Sequence, residues 1–285
     1  MSGSRFFSSP RWGSTPRATL FCRDTGLPFV DLRWPAGILI VATFLLVAFN
    51  ADAQSGAARS SVYAILWKWT PLLFQGFCLN LLMSALAMAF GTILGALLGL
   101  AQISLLPPVR TGSWALTQVL RNSPWLVTIF YIMYLVPFEV KIGGTVIPLP
   151  DWIKATFGFT LPVMANVSEI VRGAIRSIPA TQWEAARSLA FTRRQTLWMI
   201  IIPQCLKRML PPWMNLYSIL TMGTVLANIV GVSESLTIVR DVLASERRTD
   251  LLMPMYAYIL VWFFLYIYPI SVATVRLERK WSVKG

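Results

Sequence analysis

The chain contains no histidine. That absence removes imidazole metal ligands, His-centred catalytic triads and imidazole proton relays. Cysteine is scarce. Cys22, Cys78 and Cys205 lack metal-ligand spacing and give no disulfide framework. No Gly-x-x-x-x-Gly-Lys-Ser/Thr run occurs, so the chain encodes no phosphate-binding loop for a nucleotide. Neither a metal nor a bound cofactor is expected on it. Charge is short as well: only 13% of the 285 residues are charged, where about 25% is usual for a soluble domain.

What fills the chain instead is apolar. Hydrophobic residues make up 56%, and the mean hydropathy is +0.62. A soluble fold of this size could not hide so much apolar surface. The formal net charge is nevertheless +13 and the pI about 10.2. A basic balance suits either nucleic acid or a membrane. The apolar excess excludes nucleic acid and makes lipid the surrounding medium.

A membrane helix needs about 20 mostly apolar residues. Charge-free runs occupy 34–51, 69–109, 122–138, 155–168, 209–233 and 251–275. The second is longer than one span. It reads as a lead-in around Trp67–Leu73, a helix from about Phe74 to Gln102, and a loop at Pro107-Pro108. The fourth spans only if its helix continues through Glu169 and Arg172 towards Ser177. The expected fold is therefore all-α, a polytopic bundle of about six transmembrane helices. Ala51-Asp52-Ala53 follows the first span with an A-x-A pattern that can mark signal cleavage. The long stretch before it favours a retained anchor.

Charge gives an orientation. Eighteen of the 25 basic residues fall in the N-terminal tail, around Arg110 and Arg121, between Arg172 and Arg208, and in the C-terminal tail; five acids accompany them. The opposite side has seven basic and seven acidic residues. The positive-inside rule makes the first side cytoplasmic, with both termini on it.

The longest cytoplasmic loop, 177–209, carries the strongest local signal. Thr181 and Glu184 have capping-box spacing, so a short helix is expected just after Thr181. Thr192 and Gln195 repeat the spacing and open a second helix, which Pro203 is expected to interrupt. Two short helices would form a knob suited to docking another protein.

The loop resembles the EAA motif of ABC importer permeases, E-A-A-x3-G-x9-I-x-L-P. Glu184, Ala185, Ala186, Ile200 and Pro203 match in register; Ala190 stands at the Gly and Ile202 at the Leu. The likeness continues over roughly Leu73–Glu278 and is closest to the polar amino-acid (histidine/glutamine permease-like) branch. Arg121-Asn-Ser-Pro-Trp-Leu-Val-Thr-Ile-Phe130 is similar to R-G-T-P-L-L-V-Q-L-F. Glu169-Ile-Val-Arg-Gly-Ala-Ile-Arg-Ser-Ile-Pro179 is similar to E-I-V-R-G-G-I-Q-S-I-P. Thr224-Val-Leu-Ala-Asn-Ile-Val-Gly-Val-Ser-Glu234 is similar to T-S-L-A-S-V-I-G-V-P-E, and Arg276-Leu-Glu-Arg279 to an R-L-E-R ending.

Composition and hydropathy set off a cytoplasmic tail (1–34) and an N-terminal transmembrane helix (35–51); the resemblance implies a permease domain (70–280) that contains the coupling loop and makes that first helix extra to a five-helix core. It implies a subunit of an ATP-driven importer in the bacterial cytoplasmic (inner) membrane. Substrate, an amino acid or related small polar solute such as an opine, arrives from an external, periplasmic solute-binding protein. Implied partners are two ABC ATPase subunits, which hold ATP and Mg, and a second permease subunit, identical or homologous. Thr181, Trp183, Glu184, Ala185, Ala186, Arg187 and Ala190 are the implied ATPase-coupling residues. Trp183 reads either as packing against the membrane helices or as touching the ATPase. Met222-Gly223 replace a frequent Lys-Asp pair, and Thr128, Asn166 and Ser168 replace Gln, Tyr and Ala, so the family's usual substrate contacts do not carry over.

Other residues are read directly from spacing. Gly91, Gly95 and Gly99 lie on one helix face and suit close helix packing. Glu169 and Arg172, three apart, form either a structural ion pair or a gate. Thr128, Asn166, Ser168, Thr221, Thr224 and Asn228 are polar residues inside spans, candidates for a substrate path or for interhelical bonding. Thr221, Thr224 and Asn228 form one stripe on a regular helix. Two rival functions remain open. A secondary transporter needs intramembrane ionisable residues, which the four longest spans lack in their interiors. A non-transporting scaffold or sensor of permease fold is compatible with the Met222-Gly223 change.

Overall fold

The computed structural model describes residues 61–142 and 145–281, and Thr43. The N-terminal tail, the expected first span (apart from Thr43) and the Ala51-Asp52-Ala53 site lie outside the described residues.

Helix α1 is Val62–Ala101, 40 residues. At 1.5 Å per residue it is about 60 Å long, roughly twice the hydrocarbon thickness. The lead-in expected around Trp67–Leu73 is thus part of the helix, which starts twelve residues before Phe74. Pro71 removes one backbone donor without ending it. The reason is tertiary packing: Val62, Ile65, Leu66 and Leu73 are buried with Ile238, Val239, Val242 and Met255.

The expected third span, 122–138, is not one helix. Amphipathic α2 (Pro107–Asn122) and apolar α3 (Trp125–Leu135) meet at Ser123-Pro124. Both junction residues have extended ψ angles, 134° at each, as the residue before a proline favours. Strands β1 (Glu139–Ile142) and β2 (Thr145–Pro148) follow as an antiparallel pair, Glu139 opposite Pro148. Among the described residues this small sheet is the departure from an all-helical chain.

Helix α4 (Asp151–Arg176) does continue through Glu169 and Arg172. It lies along α1, and glycine makes that possible. A Cβ on Gly91 would sit 2.4 Å from Val163 Cγ1, on Gly95 2.6 Å from the Met164 carbonyl oxygen, and on Gly99 2.8 Å from the Ser168 carbonyl oxygen. Any side chain there would push the two backbones apart. The main core forms around this contact, from Met83, Ala87 and Met88 of α1, Ile129 of α3, and Phe159, Val163 and Val167 of α4.

Beyond α5 (Ala180–Ser188) the chain enters one long helical rod. It comprises α6 (Arg193–Gln195), a π turn at Thr196–Ile201, α7 (Ile202–Gly223) and a 3-10 segment at Thr224–Val230. Pro203 does not interrupt it. In the wide turn the Ile202 N–H reaches back to the Leu197 carbonyl, a five-residue step that accommodates the missing proline donor. The rod ends at Gly231, where φ is +90°. Helices α8 (Ser235–Glu246) and α9 (Leu252–Trp281) complete the described chain.

Among the described residues, three helical stretches are long and apolar enough to cross a membrane: Val62–Ala101, Arg193–Val230 and Thr249–Trp281. Helix α4 has the length, 26 residues, but carries Asp151, Lys154, Glu169, Arg172 and Arg176. Helix α3, at 11 residues, covers only about 16 Å.

Candidate functional site: the coupling knob and the polar interior

The knob is built between α4 and α7. Its first helix, α5, starts two residues earlier than the capping-box spacing implies. Pro179 takes the N-cap position and Ala180 the first turn, with no side-chain cap. Thr181 and Glu184 therefore lie inside the helix, and the expected Thr181–Glu184 box is not formed. Proline at the boundary fixes φ near the value a helix start needs, so the hydroxyl cap is dispensable.

The far end of α5 is closed more elaborately. The Phe191 N–H donates to the Ala186 carbonyl and the Ala190 N–H to the Arg187 carbonyl, 3.0 and 2.9 Å. This is a Schellman pair, and it sets Ala190 at φ +57°. Ala190 thus holds the left-handed geometry for which glycine is the unstrained choice. The second box is present: Gln195 N–H donates to Thr192 Oγ1, while the Thr192 N–H donates to Gln195 Oε1 at 2.9 Å.

These turns set which side chains face outward. Thr181, Glu184, Ala185, Arg187 and Ala190 are exposed, whereas Ala186 is buried. Trp183 is half-buried and packs against the main core. Gln204 Nε2 donates to Gln182 Oε1 at 2.7 Å, fastening α5 to α7.

The ion pair lies just above. Arg172 donates to Glu169 through both Nε (3.1 Å) and Nη2, and Arg121 Nη1 is 3.9 Å from the same carboxylate. A cavity of about 590 Å³ opens here, lined by Arg121, Asn166, Glu169 and Asn215 among others.

The path candidates are not gathered in one place. Asn166 lines this cavity while donating to the Pro162 carbonyl. Ser168 is buried in a knot with Gln102 Nε2 and Thr117 Oγ1, 3.1 Å from each, joining α1, α2 and α4. Thr128 and Thr221 donate to backbone carbonyls three and four residues back. Thr224 accepts from Asn80 Nδ2 at 3.0 Å. Because 224–230 is 3-10, Thr221, Thr224 and Asn228 do not keep the stripe expected of a regular helix.

The hub of that last contact is a carboxylate outside the candidates read from the sequence. Glu234 is fully buried. Its carboxylate caps α8, accepting from the Leu236 and Thr237 N–H groups at 2.9 and 3.0 Å, and from Asn80 Nδ2 at 3.1 Å. The Ser235 N–H donates to Asn80 Oδ1. The signal was available: an acid at the end of a matched segment, directly before a helix. Outside this core, Glu246 accepts from Lys68 Nζ (2.8 Å) and Trp69 Nε1 (2.7 Å). The Lys68 hydrogen bond first, then that of Trp69, hold its pKa below the usual carboxylate value.

Comparison with known proteins adds the kinship. Residues 91–282 match the family described as binding-protein-dependent transport system inner membrane component. The L-cystine transport system permease protein TcyB of Bacillus subtilis (strain 168) is 31% identical over 211 residues, 74% of this chain and 86% of that protein. The glutamine transport system permease protein GlnP of Escherichia coli (strain K12) is 26% identical over 228 residues, 78% of this chain and 98% of that protein. Among solved structures, a crystal structure of an amino acid ABC transporter with histidines superposes with a TM-score of 0.64 at 23% identity, covering 75% of this chain and 96% of that one. An inward-facing MetNI methionine ABC transporter structure gives a TM-score of 0.60 at 18% identity, covering 75% and 97%. The chain belongs to the binding-protein-dependent transport system inner membrane components, the permease subunits of ABC importers, whose ATPase is a separate chain.

Proposed function

We propose that this permease imports an amino acid or a related small polar solute by alternating access, driven through the 177–209 loop. The carrying observation is the knob. One short helix with defined ends, α5, and the turn that closes it present Thr181, Glu184, Ala185, Arg187 and Ala190 outward from a bundle of apolar helices, next to the capped start of the long rod. That surface suits the groove of an ATPase subunit, with ATP and Mg bound on that separate chain. Two ATPase copies and a second permease, identical or homologous, complete the complex. An external binding protein delivers the solute.

The 18-to-7 division of basic residues supports placing the knob and both termini in the cytoplasm of a bacterial inner membrane. The named cargoes of the relatives, cystine and glutamine, support an amino-acid substrate. The cavity beside Asn166 offers a carboxylate and guanidinium groups, which suits a zwitterion. ATP binding drives import only if it favours one of two packings of the bundle; the knob is where that bias enters.

The test is uptake of labelled amino acids into proteoliposomes holding the permease, ATPase and binding protein, with ATP enclosed. ATP-dependent accumulation is expected. Equal uptake without ATP would replace this reading with secondary transport.

A further inference from the structure

Besides the Gln204–Gln182 bond and the packing of Trp183, two arginines outside the EAA-like positions tie the loop to the ends of membrane helices. Helix ends leave backbone carbonyls unpaired and carry partial negative charge, so a guanidinium is a fitting partner. Arg193 Nη2 donates to the Ile103 carbonyl, just past the end of α1, at 2.7 Å. Arg208 Nη1 donates to the carbonyl and Oγ of Ser177, the C-cap of α4, at 2.8 Å each.

Their placement in the chain is informative. Residues 178–192 carry α5. Arg208, on the first turns of α7, holds that helix against Ser177, the point where this stretch leaves α4. Arg193 fastens the point where it enters the long rod, and the Thr192–Gln195 box fixes the backbone from which Arg193 extends. Both fastenings lead to the α1–α4 pair, whose backbones Gly91, Gly95 and Gly99 hold together. The stretch that carries α5 is thus held between two fixed points, one where it leaves α4 and α7 is tied to Ser177, the other where Arg193 is tied to the end of α1.

We propose that Arg193 and Arg208 are positioning residues that make the knob and the α1–α4 pair a single rigid body. Motion imposed at α5 is then carried directly into α1 and α4. This rests on the reading of the loop as the ATPase contact.

The test uses the full complex in lipid nanodiscs, with the three native cysteines of this chain replaced by alanine. Spin labels go on Leu105→Cys and Leu189→Cys, at side chains 71% and 72% exposed. Pulsed dipolar spectroscopy should give one narrow distance, unchanged by ATP. Arg193→Ala, and separately Arg208→Ala, should broaden it, and the lysine variants should restore it. In proteoliposomes Arg193→Ala should lower solute imported per ATP by about tenfold, with ATP hydrolysis within about twofold of the parent. Arg193→Lys should recover at least half.

A narrow distance retained in both alanine variants would overturn the proposal, as would parental import per ATP in Arg193→Ala. If an alanine variant does not assemble, Arg193→Gln and Arg208→Gln are read against the same criteria. A parent complex without ATP-driven uptake would defeat the ATPase-contact reading instead, while the nucleotide-free distances would still decide on the fastening.

Discussion

Replacing Ala190 by glycine should strengthen the knob. Ala190 has φ +57°, and a left-handed conformation costs a non-glycine residue about 1–2 kcal/mol. Glycine removes that strain. It also loosens the unfolded chain, which offsets about 0.4–1 kcal/mol. The net gain is therefore about 0.5–1 kcal/mol. It should be local to the Schellman turn, where the Ala190 and Phe191 amides donate to Arg187 and Ala186. A gain of 1 kcal/mol corresponds to about fivefold slower opening, so hydrogen exchange of the 186–191 segment should slow by two- to fivefold in Ala190→Gly. Uptake should be preserved, because the change removes a single methyl group from the outward surface and leaves Thr181, Glu184, Ala185 and Arg187 in place. Ala190→Val should do the opposite, since a β-branched residue at positive φ is a true outlier. Unchanged or faster exchange in Ala190→Gly, or a well-tolerated valine, would refute the assignment of a strained left-handed cap.

Other outcomes follow from the same structure. Gly95→Ala would put a methyl 2.6 Å from the Met164 carbonyl oxygen. It should destabilise the α1–α4 contact by about 1–3 kcal/mol, read as a lower melting temperature of the purified complex. Glu234→Ala removes the α8 cap and leaves Asn80 short of a partner; a loss of about 1–2 kcal/mol for the cap is expected in the same assay. Glu246 has a lowered pKa. Its contribution is present above the unfolded value of about 4.3 and is lost as pH falls through the folded value. Holding of α1 to α8, followed by Trp69 fluorescence, should weaken on acidification below about pH 4 in the parent, and Glu246→Gln should flatten that limb.

Some of this architecture was readable in the residues. The four-residue spacing of Gly91, Gly95 and Gly99 is a geometric statement about one helix face, and close packing follows from it. Thr192 and Gln195 form their box because nothing competes for the N-cap. Thr181 and Glu184 have the same spacing, but Pro179 already fixes the helix start. Helix α1 begins at Val62 because α8 packs against its first turns, a partnership that local hydropathy does not encode. Pro203 looks like a stop, yet a π turn absorbs it. Polarity inside a span marks the path candidates, but polarity alone does not separate a lining residue from one bonded to its own helix. Arg193 and Arg208 looked like orientation charge; only the fold brings them to the ends of α1 and α4.

The central claim is that the 177–209 loop couples ATP hydrolysis to import. The direct measurement compares Glu184→Lys with the parent in proteoliposomes, recording solute import and ATP hydrolysis together. Glu184 is exposed on α5, so the variant should fold, with a melting temperature near the parent's. The account predicts that import collapses and that hydrolysis no longer responds to the loaded binding protein. Parental import with normally stimulated hydrolysis in Glu184→Lys would contradict it.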